Sequence, residues 1–213
     1  MNLQRVRNCL RTTLSARSAF RTKPQGAKYL HYLVTTATYW YYPHPSYERL
    51  TIGVTLETLR ITEIFYSLQG EALSVGLPTV FIRLTGCPLR CTYCDTEYAF
   101  TGGERLGLDV ICQQVAQFEC RNICVTGGEP LAQKACLDLM TQLCDLGYQV
   151  SLETSGALAI EEVDPRVIKV MDLKTPNSGE MIRNRMENLQ FLGKNDQLKF
   201  VICNQRDYEW AVM

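Results

Sequence analysis

Three cysteines, Cys87, Cys91 and Cys94, lie within the segment G-C-P-L-R-C-T-Y-C-D, and thiols at this spacing can hold a metal centre. Structural zinc takes four ligands, usually as two separated pairs, so a triplet is a poor zinc site. A redox Cys-x-x-Cys pair at Cys91 and Cys94 would leave Cys87 unexplained. Three thiolates suit a four-iron, four-sulfur cluster that leaves one iron open. We therefore expect a cluster whose open iron binds a substrate or cofactor.

The C-x3-C-x2-C spacing resembles that of the radical S-adenosylmethionine (SAM) superfamily. This resemblance implies that the amino and carboxylate groups of SAM bind the open iron, and that one-electron cleavage of SAM releases a 5′-deoxyadenosyl radical. A second motif, T-G-G-E-P at Thr126–Pro130, also matches the superfamily and ends a later β-rich run. Its paired glycines allow a close approach of the backbone to a ligand.

The same resemblance implies which residues contact the cofactors. Cys87, Cys91 and Cys94 hold the [4Fe-4S] cluster. The SAM contacts are Tyr93, Cys94, Asp95, Gly128, Glu129, Ser155, Asp172, Leu173 and Lys174. Tyr93 is expected near the adenine, Gly128 and Glu129 at the methionine amino group, and Ser155, Asp172 and Lys174 at the ribose and carboxylate. An ordinary surface ion pair between Asp172 and Lys174 is the alternative interpretation.

The segments that flank the cysteines are more specific than the cysteines themselves. Ile61–Glu71 has the sequence I-T-E-I-F-Y-S-L-Q-G-E, and the segment C-D-T-E-Y-A-F-T-G-G-E begins at the last cysteine, Cys94. Together, residues 60–213 resemble the 7-carboxy-7-deazaguanine synthase family. The resemblance implies a lyase that contracts the ring of 6-carboxy-5,6,7,8-tetrahydropterin with loss of ammonia, in queuosine and 7-deazapurine biosynthesis. The hydrogen is removed by the adenosyl radical, so no catalytic side chain is assigned.

This family resemblance also implies a substrate site, a metal ion and partners. The expected pterin contacts are Leu68, Gln69, Gly70, Arg83 and Thr126, and Thr96 is the expected Mg²⁺ ligand. The planar guanidinium of Arg83 suits a substrate carboxylate because it can bind two oxygens at once. A reductase such as flavodoxin is expected to supply electrons, and the enzyme is expected to be a homodimer.

Two other functions remain open at this stage. Another radical SAM enzyme, such as a glycyl-radical activase, would share the cysteine loop. A non-catalytic iron–sulfur or zinc-binding module belongs to a different class. Metal analysis separates them, because a cluster brings about four irons with equal sulfide, whereas the module would bring one zinc ion.

The elements around these motifs alternate between β-rich and helical segments. Strands are predicted at Thr79–Thr85, Asn122–Thr126, Gln149–Glu153, Val167–Leu173 and Gln197–Cys203. Helices are predicted at Asp109–Phe118, Gln133–Leu146 and Met181–Leu192, and a last helix is predicted with Asp207 as its N-cap. Alternating strands and helices predict an α/β fold with a parallel sheet, open or rolled, whose reactive groups lie at the carboxyl ends of the strands. With the resemblance, we expect a partial (β/α) barrel of the radical SAM type, incomplete at its C-terminus.

Charge divides the chain into two parts. Residues 1–53 contain eight Lys or Arg and one acid, a net charge of +7, which leaves −7 for residues 54–213 because the whole chain is neutral. We expect a radical SAM domain at 54–213, truncated at its C-terminus. Residues 1–53 are an atypical basic extension, and they represent a mis-assigned start, a disordered or targeting segment, or an accessory segment.

The composition argues against two classes of partner. The acidic part lacks the basic face that nucleic-acid binding needs. No run of eighteen apolar residues is present, so we predict no membrane span and a cytoplasmic location. Most of the ten cysteines lie among apolar neighbours without the regular spacing of a disulfide framework, which also favours a reducing compartment.

Overall fold

The computed structural model describes residues 57–213, so the basic extension predicted at 1–53 and its boundary lie outside the described part. Seven strands form one sheet: β1 Thr58–Leu68, β2 Pro78–Leu84, β3 Glu104–Gly107, β4 Asn122–Gly127, β5 Gln149–Thr154, β6 Ile168–Asp172 and β7 Gln197–Lys199. Their order across the sheet is β3-β1-β2-β4-β5-β6-β7. Three α-helices accompany them: α1 Leu108–Val115, α2 Cys136–Asp145 and α3 Gln205–Val212.

The sheet is mostly parallel, as expected for strands joined by crossover connections. Strands β2, β4, β5, β6 and β7 are parallel neighbours. Strand β1 is antiparallel to both β2 and β3, and neither β1 nor β3 was predicted from the sequence. The sheet does not close, so the prediction of an α/β partial barrel is confirmed.

Hydrophobic burial fixes one face of the sheet against the helices. Val80, Ile82 and Leu84 of β2 are completely buried, and they belong to a core that also includes Ile111 of α1 and Leu139 of α2. Residues between them on β2 therefore point to the opposite face, because side chains alternate along a strand. That opposite face carries the candidate site. No helix among residues 57–213 is long and apolar enough to cross a membrane.

The predicted helix at Met181–Leu192 is wrong. This stretch contains two short 3-10 segments, Met181–Arg183 and Met186–Phe191. The Asn188 amide, completely buried, donates to the carbonyls of Gly156 and Leu158 at 3.0 and 2.8 Å. These tertiary bonds hold the chain against the loop after β5, and they outweigh the weak local preference for a helix.

Two element ends also differ from the prediction. Helix α3 begins at Gln205, and Asn204 caps it by accepting a hydrogen bond from the backbone N–H of Asp207. Asp207 is itself buried and accepts from the N–H groups of Asn177 and Cys203. Strand β7 ends at Lys199, four residues before its predicted end.

Candidate active site

A cavity of about 530 Å³ opens on the face of the sheet away from the helical core. This volume lies within the usual range for small-molecule sites. All but two of the residues predicted to form the site line it. Those that do are Leu68, Gln69, Gly70, Arg83, Cys87, Cys91, Tyr93, Cys94, Asp95, Thr96, Thr126, Gly128, Ser155, Asp172 and Lys174. The two that do not are Glu129 and Leu173.

The cysteine loop follows β2 directly and forms one wall of this cavity. Cys87, Cys91 and Cys94 are free and partly buried, and burial raises the pKa of the Cys87 and Cys91 thiols. Thr92 fastens the loop to a neighbouring turn, because its hydroxyl donates to the carbonyl of Asn177 at 2.7 Å. The three sulfurs are therefore presented to the cavity by a loop that is held in place.

Arg90 holds the same loop from within. Its guanidinium donates to the carbonyls of Cys87 and Leu89, and it lies 4.2 Å from the centroid of the Phe100 ring. Its backbone N–H donates to a carboxylate oxygen of Glu180 at 2.6 Å. These contacts give Arg90 a structural role in the loop. They explain why a cationic residue lies between two cysteines, and no contact with a ligand is needed to explain it.

The arrangement of the thiols fits a cluster better than a single metal ion. Within residues 57–213, no three His, Cys, Asp or Glu side chains gather closely enough to hold one ion. A zinc ion draws its thiolates to about 2.3 Å, which requires such a gathering. A four-iron cluster instead takes each cysteine on a different corner, so three thiols spread along one loop suit it.

Gly127 and Gly128 let the end of β4 approach the cysteine loop closely. A Cβ atom at Gly128 would clash with the carbonyl of Gly86, and one at Gly127 would clash with the backbone of Leu84. The N–H of Glu129 donates to the Gly86 carbonyl at 2.8 Å. The paired glycines were predicted to allow the backbone to approach a ligand closely. In the structure they also allow it to pack closely against the neighbouring backbone at Leu84 and Gly86.

A lysine and an aspartate line the cavity next to the cysteine loop. Lys174 forms an ion pair with Asp172 at 3.0 Å, and its ammonium lies 5.6 Å from the centroid of the Tyr93 ring. Burial, the largest single influence, would lower the pKa of Lys174, but the charge and hydrogen bond of Asp172 together with the nearby Cys91 and Cys87 thiols raise that pKa overall. Burial also raises the pKa of the Tyr93 hydroxyl.

Two polar atoms of this wall have no partner. The Tyr93 hydroxyl and Oδ1 of Asp172 are buried without a hydrogen bond to any described residue. Buried polar atoms are nearly always paired in native proteins. Since both side chains line the cavity, a polar ligand there would supply the missing partners.

Glu129, predicted to contact a cofactor, is not among the residues that line the cavity. Its carboxylate is completely buried and accepts from the N–H and hydroxyl of Ser155, the hydroxyl of Thr154 and the N–H of Leu131. Glu129 therefore holds the end of β5 in place, and Ser155 is the residue that reaches the cavity wall. Leu173 is also buried, and its N–H donates to the carbonyl of Lys199.

Another part of the cavity lining contains the residues predicted to contact the substrate. The side-chain amide of Gln69 donates to one oxygen of Glu153 at 3.1 Å, and the hydroxyl of Thr126 donates to the other at 2.9 Å. Glu153 forms no ion pair with a lysine or arginine among the residues described. It thus brings to the cavity a carboxylate that is held by two uncharged side chains, Gln69 and Thr126.

Arg83 and Thr96 lie on the same side of the cavity. Arg83 forms an ion pair with Glu63, with 2.7 Å between Nε and Oε1. The Thr96 hydroxyl donates to a carboxylate oxygen of the adjacent Asp95 at 2.7 Å. These residues place hard oxygen atoms and a guanidinium along one wall.

Several cavity residues were not predicted from the sequence, and the most informative are Glu71, Glu153 and Lys199. Lys199 forms an ion pair with Glu71 and lies 3.7 Å from Asp172. A charged residue at the carboxyl end of a predicted strand is the signal that could have identified Glu153. Lys199 ends β7 in the structure but lies inside the longer strand predicted at Gln197–Cys203, so this signal would not have found it. Glu71 directly follows the predicted contacts Leu68–Gly70.

Comparisons with known proteins agree with this geometry. The chain matches the radical SAM superfamily over residues 81–172. A 7-carboxy-7-deazaguanine synthase from Koribacter versatilis is 44% identical over 155 residues, which cover 72% of this chain and 69% of that protein. One from Chlorobaculum tepidum is 43% identical over 157 residues, covering 72% and 71%.

A solved structure has a similar fold. The crystal structure of QueE from Escherichia coli matches with a TM-score of 0.64 and 24% identity, over 73% of this chain and 76% of that chain. This structural likeness concerns the fold alone, whereas the sequence relatives share two fifths of their residues with this chain over most of their length. The chain therefore belongs to the 7-carboxy-7-deazaguanine synthase family of radical SAM enzymes.

Proposed function

We propose that this chain converts 6-carboxy-5,6,7,8-tetrahydropterin to 7-carboxy-7-deazaguanine with loss of ammonia, a step toward queuosine. The observation that carries the proposal is that a single cavity is lined by the three-cysteine loop, by the guanidinium of Arg83 and by the carboxylate of Glu153. A different radical SAM activity would need a different second wall. A zinc module is not favoured, since relatives that share about two fifths of their residues with this chain are 7-carboxy-7-deazaguanine synthases.

The cysteine loop fits a [4Fe-4S] cluster, and the wall beside it fits SAM. Cys87, Cys91 and Cys94 would hold three irons, which leaves the fourth for the methionine end of SAM. When bound, the cluster and SAM supply one-electron cleavage and abstraction of a hydrogen atom from the substrate. The protein residues bind and orient both molecules, and they exclude water from the space between them.

The free polar atoms near the cysteine loop match the polar groups of SAM. Oδ1 of Asp172 can accept from a ribose hydroxyl, because Lys174 occupies only its other oxygen. The Lys174 ammonium retains donors for a carboxylate. Tyr93 offers a ring for the adenine, and Gly128 and Ser155 border the same space.

The part of the lining with Arg83 and Glu153 matches a carboxylated pterin. Arg83 can hold the carboxylate with its planar fork. The amino-pyrimidinone edge of a pterin presents adjacent N–H donors, and the two oxygens of Glu153 are suitable acceptors for them. Gln69 and Thr126 orient that carboxylate by donating to it from either side.

Magnesium belongs to the same proposal. Mg²⁺ prefers oxygen ligands in octahedral geometry and keeps several waters. The hydroxyl of Thr96 can provide one protein ligand, and the substrate carboxylate and water can provide the others. Such an ion would link the Thr96 wall to the carboxylate bound by Arg83.

Two partners complete the proposal. The cysteine loop is only partly buried, which supports electron transfer from an external reductase such as flavodoxin. An exposed apolar patch consists of Leu68, Leu73, Val75 and Leu77, and patches of this kind mark protein contacts. It supports a homodimer, and sedimentation of the protein as a monomer would contradict that assembly.

The proposed function is tested by one anaerobic assay. Protein reconstituted with iron and sulfide is mixed with reductant, SAM, Mg²⁺ and 6-carboxytetrahydropterin, and the products are identified by mass. We expect 7-carboxy-7-deazaguanine. Cys91→Ala should lose both iron and product, whereas Cys144→Ala, on α2, should retain both. Formation of 5′-deoxyadenosine without the deazapurine would support the cofactor wall and contradict the assigned substrate.

A further inference from the structure

The side chains of β1 change faces in the middle of the strand. Leu59 and Ile61 are buried in the helical core, and Ile64 packs against the same core. Phe65 and Ser67 line the cavity on the opposite face. Regular alternation would place all odd-numbered residues on one face, so one extra residue must intervene.

A β-bulge provides this extra residue. The pairing of β1 with β2 shifts between Ile61 and Glu63, so Thr62 is the inserted position. The Thr62 hydroxyl is hydrogen-bonded to the Thr85 hydroxyl at 2.7 Å, and this bond holds the bulge in place. Bulges occur frequently beside active sites, where they redirect a side chain. Here the redirected side chain is Glu63, which would otherwise point into the apolar core.

On the cavity face, Glu63 is the direct cross-strand neighbour of Arg83. Oε1 of Glu63 accepts from Arg83 Nε at 2.7 Å and from the Tyr98 hydroxyl at 2.8 Å. The central guanidinium carbon lies 5.6 Å from the centroid of the Phe65 ring and 5.9 Å from that of Tyr98. The Arg83 side chain is 17% exposed, so these contacts restrict most of its freedom.

The bond through Nε leaves the far end of the guanidinium free. Neither terminal nitrogen of Arg83 donates to another residue in the described part of the chain. These two nitrogens form the end-on fork that suits a carboxylate. A Glu63 that paired with both terminal nitrogens would instead have consumed the fork.

We propose that Glu63 is a positioning residue that holds Arg83 through Nε and thereby directs its terminal nitrogens toward the substrate carboxylate. This inference rests on the proposed function, because it assumes that Arg83 binds that carboxylate. Glu63 also places a negative charge near the substrate. Glu63 therefore orients Arg83 but also repels the substrate carboxylate. This repulsion is small because the Glu63 side chain is 39% exposed and its charge is screened by solvent.

The test measures preference for a carboxylate rather than turnover. Binding of 6-carboxypterin and of unsubstituted pterin to the reconstituted full chain is followed by pterin fluorescence, and the ratio of the two dissociation constants is compared among variants. We expect Glu63→Ala to reduce the preference for 6-carboxypterin by about tenfold, as for loss of a charge-assisted hydrogen bond. Glu63→Gln keeps an acceptor of the same size and should lose less than about threefold.

Other outcomes overturn the inference. If Glu63 acted only through its charge, both variants would bind 6-carboxypterin more tightly than the wild type. If Glu63 were only a structural residue, the affinity for both pterins would fall equally, and the ratio of their dissociation constants would stay constant. Glu104→Ala, an exposed carboxylate on β3, is the matched control and should behave as wild type.

The experiment distinguishes failure of this inference from failure of the proposed function. A wild type that forms 7-carboxy-7-deazaguanine while Glu63→Ala retains its carboxylate preference would overturn only the role of Glu63. A wild type that neither forms product nor prefers 6-carboxypterin would contradict both. In the expected case, Glu63→Ala also raises KM for the pterin while its affinity for SAM stays unchanged.

Discussion

Two buried Lys–Asp pairs lie at opposite ends of strand β6, and they differ in how completely they are satisfied. At the amino end, Lys169 pairs with Asp196 at 2.9 Å, and their side chains are 7% and 5% exposed. At the carboxyl end, Lys174 pairs with Asp172 at 3.0 Å, with exposures of 11% and 14%. Distance and burial alone would assign the two pairs the same role.

Their remaining hydrogen bonds separate them. The Asp196 oxygens also accept from the backbone N–H groups of Lys169 and Gly193, both at 2.7 Å. Among residues 57–213, Oδ1 of Asp172 has no hydrogen-bond partner, and neither does the hydroxyl of Tyr93, whose ring lies next to the Lys174 ammonium. The first pair is closed within the fold and the second is open toward the cavity. Incomplete satisfaction, rather than the charge pair itself, identifies the functional end of the strand.

The largest effect is expected from breaking the closed pair. Lys169→Ala leaves Asp196 buried without a counterion, and loss of one partner of a buried pair costs about 3–5 kcal/mol of folding free energy. Denaturant unfolding of the variant and of wild type measures this cost. Lys194→Ala, an exposed lysine in the adjacent loop, should change stability by less than about 0.5 kcal/mol. Equal losses in the two variants would contradict the assignment of Lys169 to stability.

The open pair should give the opposite result. Lys174→Met keeps an apolar stem but removes the ammonium, so we expect SAM affinity to fall at least about tenfold, or about 1.4 kcal/mol. The loss of stability should be smaller than for Lys169→Ala, because Lys199 lies 3.7 Å from Asp172 and remains as a counterion. Isothermal titration with SAM, together with denaturant unfolding, separates the two quantities.

The control for this variant is Lys134→Met, which replaces an exposed lysine outside the cavity. It should bind SAM as wild type does. If Lys174→Met retained its SAM affinity but unfolded as readily as Lys169→Ala, the two pairs would be equivalent. The distinction between a closed and an open pair would then have no functional meaning.

The parts of the site that could be predicted from the sequence are those whose residues lie close together in the chain. The spacing from Cys87 to Cys94 places three thiols on one loop whatever the rest of the chain does. The positions of Asp172 and Lys174 at the end of a β-rich run likewise placed them correctly at the cavity. Four of the five predicted strands agree with the structure to within two residues at each end.

The parts that could not be predicted depend on contacts between distant segments. Asn188 prevents a helix through bonds to the loop after β5, and nothing in its local sequence reveals those partners. The side chain of Glu129 turns inward because Thr154 and Ser155 donate to it from another strand. Glu63 reaches Arg83 on the cavity face of the sheet only because the bulge at Thr62 changes the register. Periodicity arguments assume a regular strand, and this one is irregular at the functional position.

The smallest effect is expected at Lys199, which forms an ion pair with Glu71. Its side chain is 30% exposed, more than those of Lys169 and Lys174, so its charge is better screened by solvent. Burial, the largest single influence, would lower its pKa, but the hydrogen bond to Glu71 and the charges of Asp172, Glu71 and Glu153 together raise the pKa above its ordinary value. A raised pKa stabilises the fold fully below the unfolded value of about 10.4, and this contribution is lost as the pH rises through the folded pKa. The difference in melting temperature between wild type and Lys199→Gln should therefore stay constant from pH 8 to about 10 and shrink above it. Lys134→Gln should show no such change, and a difference that widened with pH would mean that Lys199 is not held by its acidic neighbours.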